Sequence, residues 1–143
     1  HCVTRRQRQM CIRDRVLREG NDAVIIACGV MVSESMKAAE VLAAKGLSVT
    51  VVDMHTLKPL DTDLIKSLVE KCGVVVTAED HNVIGGLGGA VAEYLSSNCP
   101  APLEMVGVKD RFGESGQSDE MLDLLEISSP YIEDAVKRAI NRK

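Results

Sequence analysis

The chain has 143 residues, 45% of them hydrophobic and 27% charged, with a formal net charge of −4. That length suits one domain with a real core, and no stretch approaches the roughly 18 apolar residues a membrane span needs. Phe112, Tyr94 and Tyr131 are its only Phe, Tyr or Trp residues, so the core must be built from aliphatic side chains and little is left for stacking on nucleic-acid bases.

The opening segment, "HCVTRRQRQMCIRDR", does not match the rest. It holds five of the 17 basic residues and one of the 21 acids, which leaves 12 against 20 beyond it, a net charge of −8. It has no sustained helical or strand period, and it begins on His1 rather than Met. Residues 1–15 are therefore expected to be a non-native or disordered flanking segment, with residues 16–143 forming the domain. A basic arm for nucleic acid or a membrane surface is the rival reading, but an acidic domain repels phosphate backbones. Cys28, Cys72 and Cys99 lie far apart with no CxxC, as free thiols in a reducing cytoplasm would.

"RVLREGND" reads as a short strand with a turn at Gly20-Asn21, expected to pair antiparallel with the strand that follows. "AVIIACG" (23–29) is a continuous apolar run, as a strand buried on both faces should be. "SESMKAAEVLAAKG" is a helix with Ser33 as N-cap, an apolar stripe of Met36, Ala39, Val41, Leu42 and Ala43, and Gly46 at the C′ position. "LSVTVVDM" (47–54) is the second buried strand. Asp61 caps a helix over "TDLIKSLVEKC", whose Leu64, Ile65, Leu68 and Val69 share one face before Gly73 stops it. "VVVTAED" (74–80) is the third buried strand, and after a glycine-rich stretch a helix runs through "AVAEYLSSN". "LEMVGV" (103–108) is a fourth strand, Ser118 can cap "DEMLDLLE", and a last helix begins with Ser129 as N-cap and Pro130 at N1. Strands alternating with helices predict a three-layer α/β/α domain around a mostly parallel sheet.

Chemistry centres on "EDHNVIGGLGGAVAEYL" (79–95), where Gly85, Gly86, Gly88 and Gly89 follow Glu79, Asp80 and His81. The stretch lacks a dinucleotide fingerprint: counted from Gly86 the third glycine position is Val91, and counted from Gly85 the second is Leu87. No Lys lies between Lys71 and Lys109, so it is no Walker-type loop either. Backbone N–H groups at a helix start can still bind an anion. The competing reading is a sheet-to-helix turn, in which glycines supply positive φ and close helix packing. Glu79 and His81 stand at the carboxyl end of a strand, where α/β sheets bind ligands, and His81 suits a general base or a metal ligand. One His beside two adjacent acids does not make a metal site, because strand neighbours point to opposite faces. His55 stands similarly after the second strand. In "KDRFGESG" (109–116), Arg111 and Phe112 belong either to a plug at the sheet end or to a recognition loop for another domain.

"VVDMHTLKPLD", "VVVTAEDHNVIGGLGGAVAEYL" and "VGVKDRFGESG", in that order and spacing, resemble the C-terminal domain of the transketolase family. The likeness covers roughly residues 16–142, and the last motif is most similar to the C-terminal subunit of a split transketolase. Deoxyxylulose-phosphate synthase and the β subunit of 2-oxo acid dehydrogenases (E1 beta) share the first two motifs. The resemblance implies a five-stranded mixed sheet with its first strand antiparallel. It implies a cytoplasmic enzyme of the pentose phosphate pathway that uses thiamine diphosphate and Mg²⁺ to move two-carbon ketol units between sugar phosphates.

The same resemblance implies that this chain is not catalytic alone and binds no cofactor. Its partners would be an upstream pyrimidine-binding domain and an N-terminal transketolase subunit, in a homodimer or heterotetramer. No catalytic residue and no metal ligand transfers to this sequence. Glu79, His81, Gly85, Gly86, Gly88, Gly89, Arg111 and Phe112 stand as anion-binding or interdomain-contact candidates. A small-anion-binding module and a docking module are the alternatives from other functional classes; neither nucleic acid nor membrane is an expected partner.

Overall fold

A computed structural model describes residues 15–54, 61–82, 86–108 and 127–143, with His81, Asn82 and Val108 in backbone alone. Its strands are β1 (Arg15–Arg18), β2 (Ala23–Ala27), β3 (Val49–Asp53), β4 (Val75–Asn82) and β5 (Leu103–Val108). Between and after them come α1 (Met31–Ala44), α2 (Thr62–Cys72), α3 (Leu87–Asn98) and α4 (Ser129–Asn141). The strands form one sheet in the order β1-β3-β2-β4-β5, with β1 antiparallel to β3 and the other pairings parallel. The fold is the expected α/β architecture. No helix among the described residues is long and apolar enough to cross a membrane.

Every residue of β2 and β3 is buried, because helices cover both faces of the sheet. Ala23, Ile25 and Ala27 of β2 face α1 and α4, joining Ala38, Leu42, Ile132 and Val136 in one core. Val24 and Ile26 face the other way, toward Ile65, Leu68, Val91 and Leu95 of α2 and α3. Alternate residues of one strand thus build two separate cores, which is why the strand reads as unbroken apolar sequence.

The expected pairing of β1 with the next strand is not what forms. β2 is flanked by β3 and β4, and β1 pairs with β3 instead. Its connection to β2 is tied to β3 at the turn. Gly20 N–H donates to Thr50 Oγ1 at 2.9 Å while that hydroxyl donates to Gly20 O at 2.7 Å, and Ser48 N–H donates to Asp22 Oδ2 at 2.7 Å. A Cβ at Gly20 would stand 2.3 Å from Val49 N, so this approach requires glycine.

Helix α1 begins at Met31, two residues before the expected cap, and Ser33 Oγ instead donates back to Val30 O. Its buried stripe is Met31, Glu34, Ser35, Ala38, Ala39 and Leu42, whereas Val41 is exposed. Its end is as expected: Gly46 has φ +87, Gly46 N–H donates to Ala43 O and Leu47 N–H to Leu42 O, closing a Schellman motif. Helix α2 follows the expected plan, with Asp61 Oδ1 accepting from Leu64 N–H at 3.1 Å and Gly73 at φ +84. Helix α4 is entered one residue earlier than expected, with Ser128 as N-cap and no cap bond from its side chain.

Candidate functional site

The connection leaving β2 leads to α1 on one face, and that leaving β4 leads to α3 on the other. Neighbouring strands whose connections diverge in this way open a crevice at their carboxyl ends, where α/β proteins place ligands. Cys28 and Gly29 follow β2 there, Asp53 ends β3, and Glu79 and Asp80 lie on β4.

Glu79 is fully buried. It shares its strand face with Val75, which belongs to the same core as Leu87, Val91 and Leu95 of α3, and its side chain runs beneath the first turn of α3. Oε1 accepts from Leu87 N–H at 2.8 Å and Oε2 from Gly88 N–H at 2.7 Å. These are orphan donors at a helix start, and the N-cap is Gly86, which has no side chain to offer them. Charge-assisted bonds to the positive end of a helix offset the cost of burying a carboxylate.

The glycines act differently from the expectation of positive φ. Helix α3 already begins at Leu87, which places Gly88 and Gly89 inside it, and Gly86 is extended, with φ −99 and ψ −152. Positive φ occurs at Gly29, Gly46 and Gly73 among the described glycines. Gly88 is needed for close approach: a Cβ there would lie 2.8 Å from Met105 Sδ and 3.1 Å from Thr77 Oγ1.

Asp80, on the opposite strand face from Glu79, comes close to the turn into α1. A Cβ on Gly29, at φ +62, would lie 3.4 Å from Asp80 Oδ1. The half-buried Cys28 thiol is pushed up to about 11, first by burial and then by the negative charges of Glu79, Asp80 and Asp53. Near neutral pH it is therefore a protonated thiol and a poor nucleophile. Among the described residues no group of three or more His, Cys, Asp or Glu side chains could hold a metal ion.

Of the sequence-predicted residues, Glu79 and Gly88 are joined by a hydrogen bond, with Gly86 as the N-cap just before them and Gly89 one position further along the helix. His81 lies in β4, with its backbone alone described. Gly85, Arg111, Phe112, His55 and the expected helix at Ser118 lie outside the described residues.

Sequence reasoning missed Glu34. It is buried on α1, where its Oε1 accepts from Ser129 N–H at 3.0 Å and its Oε2 pairs with Lys37 Nζ at 2.8 Å. It holds the start of α4 much as Glu79 holds the start of α3. A charged residue on the stripe defined by Met31 and Ala38 was the available signal.

Residues 14–132 match the family model described as "Transketolase, C-terminal domain". The chain is 45% identical over 128 residues to the 6-deoxy-6-sulfo-D-fructose transketolase subunit SqwH of a Clostridium strain, covering 90% of this chain and 40% of that protein. It is 45% identical over 111 residues to a putative transketolase C-terminal section of Methanocaldococcus jannaschii, covering 77% of this chain and 34% of that protein. It is also 40% identical over 132 residues to 1-deoxy-D-xylulose-5-phosphate synthase of Trichormus variabilis, covering 92% of this chain and 21% of that protein. A solved structure described as "Split gene transketolase, inactive beta4 tetramer" superposes with a TM-score of 0.84 at 43% identity, over 90% of this chain and 41% of that one. The chain thus spans well under half the length of these relatives. With its sheet order, its antiparallel first strand and these matches in agreement, the chain belongs to the transketolase C-terminal domain family.

Proposed function

We propose that residues 16–143 are the C-terminal structural and assembly domain of a thiamine-diphosphate-dependent transketolase, most like the C-terminal subunit of a split enzyme. Residues 1–15 lie outside the domain in this reading, except Arg15, whose backbone already pairs with Asp53 in β1. The parent protein is a cytoplasmic transferase that moves two-carbon ketol units between sugar phosphates, and this chain is inactive alone. The observation that carries the reading is the 45% identity to a transketolase subunit over 90% of this chain but only 40% of that protein.

The crevice chemistry agrees, because its described residues do not fit a diphosphate. Asp53, Glu79 and Asp80 all lie within electrostatic reach of one protonated thiol, and such a field opposes an anionic cofactor. The Leu87 and Gly88 N–H groups, which would serve an anion, are already taken by Glu79. The turn therefore works by positioning, and the anion-module reading is the poorer one. The cofactor and its metal ion would be held by the upstream pyrimidine-binding domain and the N-terminal subunit.

Calorimetry of the chain with thiamine diphosphate and Mg²⁺ should give no binding heat, and a ketol-transfer assay should give no turnover. Joining the chain to its upstream domain and the N-terminal subunit should restore activity. Micromolar cofactor binding by the chain alone would overturn the reading and return Glu79 and His81 to the catalytic candidates. The second reading, the C-terminal domain of a deoxyxylulose-phosphate synthase, is favoured by the 40% identity over 92% of the chain. The sequence of the upstream domain distinguishes the two.

A further inference from the structure

A glycine-rich strand-to-helix turn at a crevice of this kind has the make-up of an anion cradle, yet two of its donors are satisfied from within. We infer that Glu79 is the resident anion of this turn, a positioning residue that fills the start of α3 and keeps phosphate out of it. The inference goes beyond the assembly role and does not depend on the parent protein's reaction.

Three observations carry it. Each oxygen of the Glu79 carboxylate accepts one N–H, from Leu87 and Gly88, at 2.8 and 2.7 Å, the two-oxygen contact an external carboxylate or phosphate edge would make. Glu79 and Leu87 are fully buried and Gly88 is buried, so a solvent anion could enter only by displacing the carboxylate. The cap comes from β4 across the turn because Gly86 has no side chain and Gly88 lies too close to Met105 and Thr77 to carry one without a shift. The carboxylate therefore ties the register of α3 to the end of β4, and with it the path of the turn between them.

Glu79→Ala removes one methylene and the carboxylate, which are the atoms of an acetate ion. In the full chain, this variant should lose thermal midpoint and regain several degrees in acetate relative to chloride at equal ionic strength. The Leu87 and Gly88 amide resonances should shift saturably with acetate. Wild type should show neither response, and phosphate should not saturate those amides in it. An Asp61→Ala variant, which lacks a local cap on α2, should gain nothing from acetate; this separates filling of the Glu79 site from general salt stabilisation.

Acetate acting no better than chloride on Glu79→Ala would overturn the inference. So would saturable phosphate shifts at Leu87 and Gly88 in wild type. Should Glu79→Ala not fold, Glu79→Gln decides. It keeps the shape but turns an amide N–H₂ toward one of the two backbone donors, and amide exchange at Leu87 or Gly88 should quicken by at least about tenfold. Wild-type exchange and midpoint in that variant would equally overturn it.

Discussion

Helices α2 and α3 pack on the same face of the sheet and each must satisfy its first N–H groups, but they do so by different means. Helix α2 is capped by its own neighbour, with Asp61 accepting from Leu64 N–H three residues on. Helix α3 is capped by Glu79 from the strand beneath it, across eight and nine residues, and the carboxylate is fully buried. A local cap stabilises one helix and little else. A cap from the strand makes helix position and strand position a single quantity, so its loss is felt by the sheet, the turn and the helix together.

The largest separation between the two should come from removing each carboxylate. Glu79→Ala should cost about 3–5 kcal/mol in urea unfolding, since it strands two buried donors that had a charged partner. A cost near that of an ordinary cap would show that α3 holds its place by packing alone. Next in size, Gly88→Val should cost about 2 kcal/mol, because the added side chain meets Met105 Sδ and Thr77 Oγ1. Met105 is partly exposed, so adding Met105→Ala should recover about half of that cost in a double-mutant cycle. Additive costs would place the conflict elsewhere.

Asp61→Ala should cost about 1 kcal/mol, the ordinary value of a lost N-cap, with amide exchange quickening in the first turn of α2 and unchanged in α3. Exchange changes in both helices would erase the contrast drawn between them.

The smallest effect belongs to a carboxylate shared with cations at the surface. Glu104 on β5 accepts from Arg138 of α4 and from Arg142 just past its end. Burial pushes its carboxyl up, but the two hydrogen bonds and the guanidinium charges outweigh that and hold it below the usual value. Because the native carboxyl is the more acidic, its contribution is present above the unfolded-state value and is lost as pH falls through the native one. With both arginines half-exposed, the contribution should stay under about 1 kcal/mol. Comparing urea midpoints of wild type and Glu104→Gln between about pH 6 and about pH 3 tests this. The gap between them should close on acidification, and a gap independent of pH would remove the ion pair as its cause.

Local information was enough at three helix ends, though not at the starts of α1 and α4, whose caps fall before the expected serines. The Asp61 cap, the Gly73 stop and the Schellman end of α1 at Gly46 were legible because each is a short-range bond or a positive φ at a glycine. The unbroken apolar runs of β2 and β3 announced strands covered on both faces. The family likeness rested on motifs that span most of the chain, and the match over residues 14–132 agrees with it.

Apolar periodicity and short motifs are properties of neighbouring residues, and they were enough for the order of the described elements, the layered α/β class and the family. Tertiary structure alone decided that β1 pairs with β3, because both edges of β2 are taken by parallel partners and Gly20 locks onto Thr50. It alone decided that Gly88 serves close packing rather than positive φ, because the atoms it would strike belong to β4 and β5. It also decided that Glu79 and Glu34 cap helices whose own N-cap residues make no side-chain bond. Those pairings cross the turn from β4 to α3 in one case and from α1 to the start of α4 in the other. A hydrogen bond over such a separation exists only once the sheet has brought its two ends together.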